Sequence, residues 1–191
     1  MRLILELLIV AVLAAGIGLG LTGWAVNHPP MFGAVRSGPW ETDPKIGTAD
    51  VDLYALAVMA RRGEAPLAVG DGLSFTAMRD SDGRKLRQNC TYVVSGATPA
   101  ARVWTLFVSG AKPAAAPDLR RAFTNTELTH DANGHFRVAV SSEVQSGDWL
   151  PIGTGDGRFS LVLAVYDTTL DALTGGRDVP ELPDIQRTGC R

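Results

Sequence analysis

The sequence predicts a mainly β domain, an antiparallel sandwich of jelly-roll-like kind, preceded by one short helix and by an N-terminal transmembrane helix. Three observations predict it. The first is an apolar opening, Leu3 to Val26, where only Glu6, Thr22 and four glycines interrupt the apolar side chains. The second is a series of about six short segments after Gly70 in which apolar and polar residues alternate, the period of a strand with one covered face. The third is punctuation. With 21 glycines and 11 prolines in 191 residues, the chain suits a loop-rich β domain better than a helical bundle.

At about 1.5 Å per helical residue the opening run is long enough for a hydrocarbon core of about 30 Å. Residues 1–27 are therefore expected to be an uncleaved single-pass anchor, in contact with lipid through residues 3–26. Glu6 then sits near one interface and Trp24 at the other. A cleaved signal peptide is the competing reading, but its apolar stretch usually spans about 7–15 residues and a small-x-small cleavage site should follow. No such site follows Trp24. Arg2 precedes the span and no basic cluster comes directly after it, so the bulk of the chain is expected outside the cytoplasm. Gly16 and Gly20 make a small-xxx-small pair that reads first as ordinary membrane-helix glycine.

Residues 28–47, with Pro29, Pro30, Pro39 and Pro44, show no periodicity and read as an extended arm. The extracytoplasmic domain is expected over 48–191. Thr48 could cap a helix from Ala49 to Arg62, with Asp50 and Asp52 in its first turn, Arg61 and Arg62 in its last, and Gly63 beyond. Leu53, Ala57 and Ala60 share one side, suited to packing on a sheet.

Strands follow. Leu73, Phe75 and Ala77 alternate with Ser74 and Thr76, and Asp80-Ser-Asp-Gly83 makes a turn. Thr91 to Ser95 is a second strand. Arg102 to Ser109 is apolar on both faces, as a central strand would be. Phe123 to His130 and His135 to Ser141 flank Asp131-Ala-Asn133-Gly134, a hairpin signal because Asn-Gly accepts positive φ. Phe159 to Tyr166 is the last long strand, and Asp171 to Arg191 reads as a turn-rich tail.

Function classes narrow next. Eighteen basic against 20 acidic residues give a net charge of −2, with no Lys/Arg stripe for phosphates, so nucleic acid is excluded as a partner. Cys90 and Cys190, a lone pair in an oxidising compartment, read first as a disulfide, with inert thiols or thiol chemistry as the alternatives. A loop on the order of 100 residues would remove about 4.7 kcal/mol of unfolded-chain entropy. Asn89-Cys90-Thr91 matches a glycosylation sequon, which matters only in a eukaryotic secretory pathway.

His130 and His135 straddle a turn that also holds Asp131, an arrangement that could converge on a metal, yet no third strong ligand is evident. They read as solvated. Asp80 and Asp82 lack calcium-loop spacing and read as turn residues. Gly153-Thr-Gly-Asp156-Gly157 lacks the Lys-Ser/Thr ending of a phosphate loop and reads as a flexible loop. No nucleophile elbow or dinucleotide fingerprint occurs, and no cofactor, metal site or catalytic residue is expected. Trp149-Leu150-Pro151 reads as a hydrophobic plug at one end of the sandwich, with ligand stacking as its other use.

Gly147-Asp148-Trp149-Leu150-Pro151 precedes Phe159-Ser-Leu-Val-Leu-Ala-Val-Tyr166-Asp167, and Cys90-Thr-Tyr92 leads through Gly96 to Trp104-Thr105. With Leu182-Pro183-x-Ile185 and Cys190, these boxes make the chain resemble the bacterial domain-of-unknown-function family 1214, from Trp40 to Cys190. Asp148 stands where Asn is more usual before that Trp. The resemblance implies a β-sandwich-like domain, often fused to or beside a companion domain, family 1254. It implies no established catalytic residues. The expected function is a membrane-anchored periplasmic binding or accessory module, with a separately encoded companion as partner. An envelope hydrolase or carbohydrate-processing enzyme using Asp148, Asp156, His130 or His135 around the Trp149 loop is the alternative. A purely structural envelope component, lacking any ligand-sized pocket, is the third reading.

Overall fold

Apolar side chains around every turn leave helix α1 (Arg2–Asn27) with no polar face to present to water. In this computed structural model, which describes residues 2–27, 35–43, 45–48, 50–62, 67, 71–111, 119–168 and 181–191, α1 belongs to a unit of Met1–Phe32 and Lys45–Pro66. Its stretch Arg2–Trp24 is long and apolar enough to be a membrane span or signal anchor, with none of it buried. The second helix, α2 (Leu53–Arg62), shares that unit. It starts at Leu53 rather than Ala49 because Asp52 is its cap, accepting the Ala55 N–H at 3.2 Å. Thr48, the expected cap, instead closes a preceding turn by donating to the Lys45 carbonyl at 2.7 Å. The expected packing face is also displaced. Leu53 is 79% exposed, Leu56 42%, and Ala57 and Ala60 are exposed, whereas Met59 is buried.

The second unit, Gly33–Pro44 with Leu67–Arg191, holds two sheets. Its strands are β1 (Val35–Ser37), β2 (Trp40–Thr42), β3 (Gly72–Ala77), β4 (Cys90–Ala97), β5 (Val103–Ser109), β6 (Ala122–Thr124), β7 (His135–Ser141), β8 (Trp149–Pro151), β9 (Ser160–Tyr166) and β10 (Asp184–Cys190). One sheet runs β1-β2-β3-β9-β5-β6 and the other β10-β4-β7-β8. The pairings are antiparallel except β7 with β8, which is parallel.

Strand alternation directs one face of each sheet into a common core. Trp40, Phe75, Trp104, Leu106, Leu161 and Leu163 come from the larger sheet, and Tyr92, Val94, Phe136, Val138, Val140 and Ile185 from the smaller. Trp104 meets Phe136 at a ring separation of 4.8 Å, and Tyr92 meets Phe159 edge-on at 5.7 Å. Each such side chain withdrawn from water contributes about 1.5–3 kcal/mol.

Four sequence expectations change here. The arm over 28–47 contains β1 and β2, and the Trp40 indole, fully buried, donates to the Pro183 carbonyl at 2.6 Å. The hairpin turn at Asp131–Gly134 forms, but only His130 bridges back to Phe136, while β6 crosses over to pair with β5. β5 has neighbours on both sides, yet the strand covered on both faces is β9, where Leu161 to Val165 are all buried. The expected turn-rich tail ends in β10, and its part over residues 171–180 lies outside the described residues.

Cys90 and Cys190 face each other across β4 and β10 and are disulfide-bonded, closing a separation of 100 residues. The bond fixes the last strand of the chain at the sheet edge.

Candidate functional site

Register places Asp184 of β10, Ser95 of β4 and Arg137 of β7 in one row on the outward face of the smaller sheet. The segments Thr129–Asp131 and Ser146–Asp148 rise beside that row. Together they wall an open recess of about 740 Å³. Its ionisable lining is His130, Asp131, His135, Arg137, Asp148 and Asp184.

Each wall is set by a local cap. The Asp131 carboxylate accepts the Asn133 N–H at 2.8 Å and the His135 N–H at 2.9 Å, fixing the turn. Those two bonds, His135's first and then Asn133's, hold the Asp131 carboxyl below the usual aspartate range. Its other oxygen lies 3.7 Å from His135 Nδ1. Asp148 accepts the Thr129 N–H at 2.8 Å through its carboxylate, and the Ala139 N–H at 2.8 Å through its carbonyl. This ties the 146–148 loop to the incoming strand. The His130 ring stands edge-on to Phe136 at 6.4 Å.

Of the side chains singled out from sequence, His130, His135 and Asp148 line the recess, together with the turn residue Asp131. Trp149 and Asp156 are not among its walls. The Trp149 indole is half-buried and donates to the Ser141 carbonyl at 3.0 Å, and the buried residues in that triplet are Leu150 and Pro151. Asp156 is exposed in the glycine loop. Gln88, itself buried, reaches that loop through a bond to the Gly153 carbonyl at 2.9 Å. Arg137 and Asp184 escaped the sequence reading. Arg137 alternates as an outward strand residue, and that signal identifies a solvent-facing position without revealing its neighbours.

Among the described residues, no group of three or more His, Cys, Asp or Glu is placed to hold a metal ion. The recess instead offers three carboxylates, one guanidinium and two imidazoles on an open surface. Such a set can engage a ligand by charge and hydrogen bonding. A carboxylate held low by backbone donors is a weak proton acceptor at neutral pH, unlike a general base tuned toward the working pH.

A family described as a protein of unknown function, DUF1214, matches residues 71–170, which span β3 to β9 and most of the recess. The chain belongs to DUF1214. The match is narrower than the resemblance expected from Trp40 to Cys190, and leaves β1, β2 and β10 outside it. Among solved structures, this DUF1214 chain is similar to the VPA0106 protein from Vibrio parahaemolyticus at 17% identity and a TM-score of 0.53, covering 71% of this chain and 35% of that one. That likeness is one of fold. An uncharacterised protein from Burkholderia cenocepacia matches at 15% identity and a TM-score of 0.40, over 66% of this chain and 32% of the other. The chain thus spans about a third of the length of these solved relatives. No curated protein matches the sequence.

Proposed function

We propose that this DUF1214 chain is a single-pass, membrane-anchored binding or accessory module of the bacterial envelope, with residues 1–27 as its anchor. Its sheet domain faces the periplasm and contacts its partner through the recess. The observation that carries this reading is that Asp131 and Asp148 each use a carboxylate oxygen to cap backbone N–H groups, which shapes the walls of an open, mixed-charge surface. The apolar α1 supports the anchor, and the disulfide is the kind of bond that persists in an oxidising compartment. The partner is a separately encoded protein carrying the companion domain, family 1254.

The test is a photo-crosslinking side chain placed at His135, inside the recess, and at Asp156, outside it, in full-length protein in native membranes. A discrete adduct from position 135 and none from 156 is expected. Equal adducts at both positions, or none at either, overturn the reading. Hydrolytic turnover abolished by Asp148→Asn in purified protein would replace it with the enzyme alternative.

A further inference from the structure

The face of α2 expected to pack on a sheet is open in the structure, and the same unit contains α1. We propose that this face, Leu53, Ala57 and Ala60, together with Leu56 beside it, lies on the lipid surface of the bilayer that α1 enters. The inference rests on reading α1 as a membrane span.

Three observations point to lipid as the occupant. Leu53 and Leu56 are 79% and 42% exposed, a cost in water that the boundary between headgroups and acyl chains removes. These residues share one stripe of the helix at the i, i+3, i+4, i+7 spacing, while Met59, off that stripe, is buried within the protein. The helix is thus already covered on another side, and the open stripe remains for a second medium. The third observation is continuity with the span. Helices α1 and α2 touch within this unit, and from Arg2 to Trp24 only Gly23, beside Trp24, is not exposed. That is where Trp24 marks the interface, and a helix packed there meets the headgroup region.

The test uses full-length protein, disulfide intact, in vesicles of phosphatidylethanolamine and phosphatidylglycerol. A single added cysteine carries an environment-sensitive fluorophore, at Leu53→Cys, Ala57→Cys, Leu13→Cys or Asn133→Cys. Burial about 5–10 Å into the headgroup boundary should quench positions 53 and 57 about twofold by headgroup-labelled lipid, with position 133 unaffected. Position 13 should respond to lipid labelled deep in the acyl chain. If positions 53 and 57 stay unquenched while 13 is quenched from the bilayer centre, the α2 proposal falls and the span stands. If 13 is not quenched either, the span reading itself falls.

Discussion

In both turns of the pattern Asp-x-Asx-Gly the first aspartate accepts the backbone N–H four residues on, at 2.8 Å from Arg84 to Asp80 and 2.9 Å from His135 to Asp131. In both, the glycine N–H returns to that aspartate's carbonyl, at 2.9 and 3.0 Å. Gly83 and Gly134 both adopt positive φ, +83° and +76°. Their surroundings are opposite. Asp80 is 1% exposed and its carboxylate lies 3.2 Å from Arg84 Nε and 3.0 Å from Arg187 Nε. Arg187 is itself set near the Tyr92 ring, 5.4 Å from its centre. The Asp131 side chain is 54% exposed and, among the described residues, bonds only within its own turn. Local chemistry builds the turn, and a strand arriving from a hundred residues away decides whether that turn becomes a buried ion-pair centre or the open lip of a recess.

The largest way to break the contrast is to free the arriving strand. Cys90→Ser with Cys190→Ser opens a loop whose closure is worth about 4.7 kcal/mol in the chain-entropy picture. The melting temperature of the full chain in detergent, followed by fluorescence of the buried Trp40 and Trp104, should fall accordingly. β10 then holds Arg187 less firmly, so Asp80→Ala should cost less in that background than in the native one. Equal costs in both would show that β10 docks without the bond.

Next comes the carboxylate itself. Asp80→Ala leaves Arg187, whose side chain is only 15% exposed, without its counter-charge, a loss of about 3 kcal/mol. Asp131→Ala, measured the same way, should shift the melt far less. Comparable shifts would erase the distinction between the turns. The glycines test the part the turns share. Gly83→Ala and Gly134→Ala meet no neighbouring atom, so each should cost only the left-handed backbone term, about 1–2 kcal/mol, and the two should agree.

The smallest effect is electrostatic and concerns a third cap. Glu127 accepts the Thr124 N–H at 2.9 Å, with Arg120 beside it at 2.9 Å, and these hold its carboxyl down at about 2 against an ordinary 4.5. The depressed value means that its stabilisation is present above the ordinary range and is lost as pH falls from about 4.5 toward about 2. Glu127→Gln should flatten the melting curve's pH dependence in that window. An unchanged slope would show that the cap does not hold in solution.

Much of this architecture was readable from residue order. β3, β4, β7 and β9 alternate or run apolar as strands do, and Asp-Gly and Asn-Gly marked both turns. The misses share a cause. β1, β2 and β8 have three residues each, too few to display a period, and Pro39 between β1 and β2 reads as arm. β10 sends Ile185 into the core but is otherwise polar and largely exposed, so nothing in it announces a strand. The recess was half legible: sequence adjacency put His130, Asp131 and His135 together, while Asp184 joins Arg137 only through cross-strand register. That register is fixed by pairing, with the disulfide as its pin.

The sulfur bridge also redirects mechanical load. Tension applied between the amino end and the carboxyl end would pass straight from Cys90 to Cys190 and bypass the chain between them, whose separation is 100 residues. At about 3.3–3.6 Å per extended residue, some 330–360 Å of contour stays locked however far the outer strands are peeled. Tugged at its ends, the chain would pay out less than half of its length.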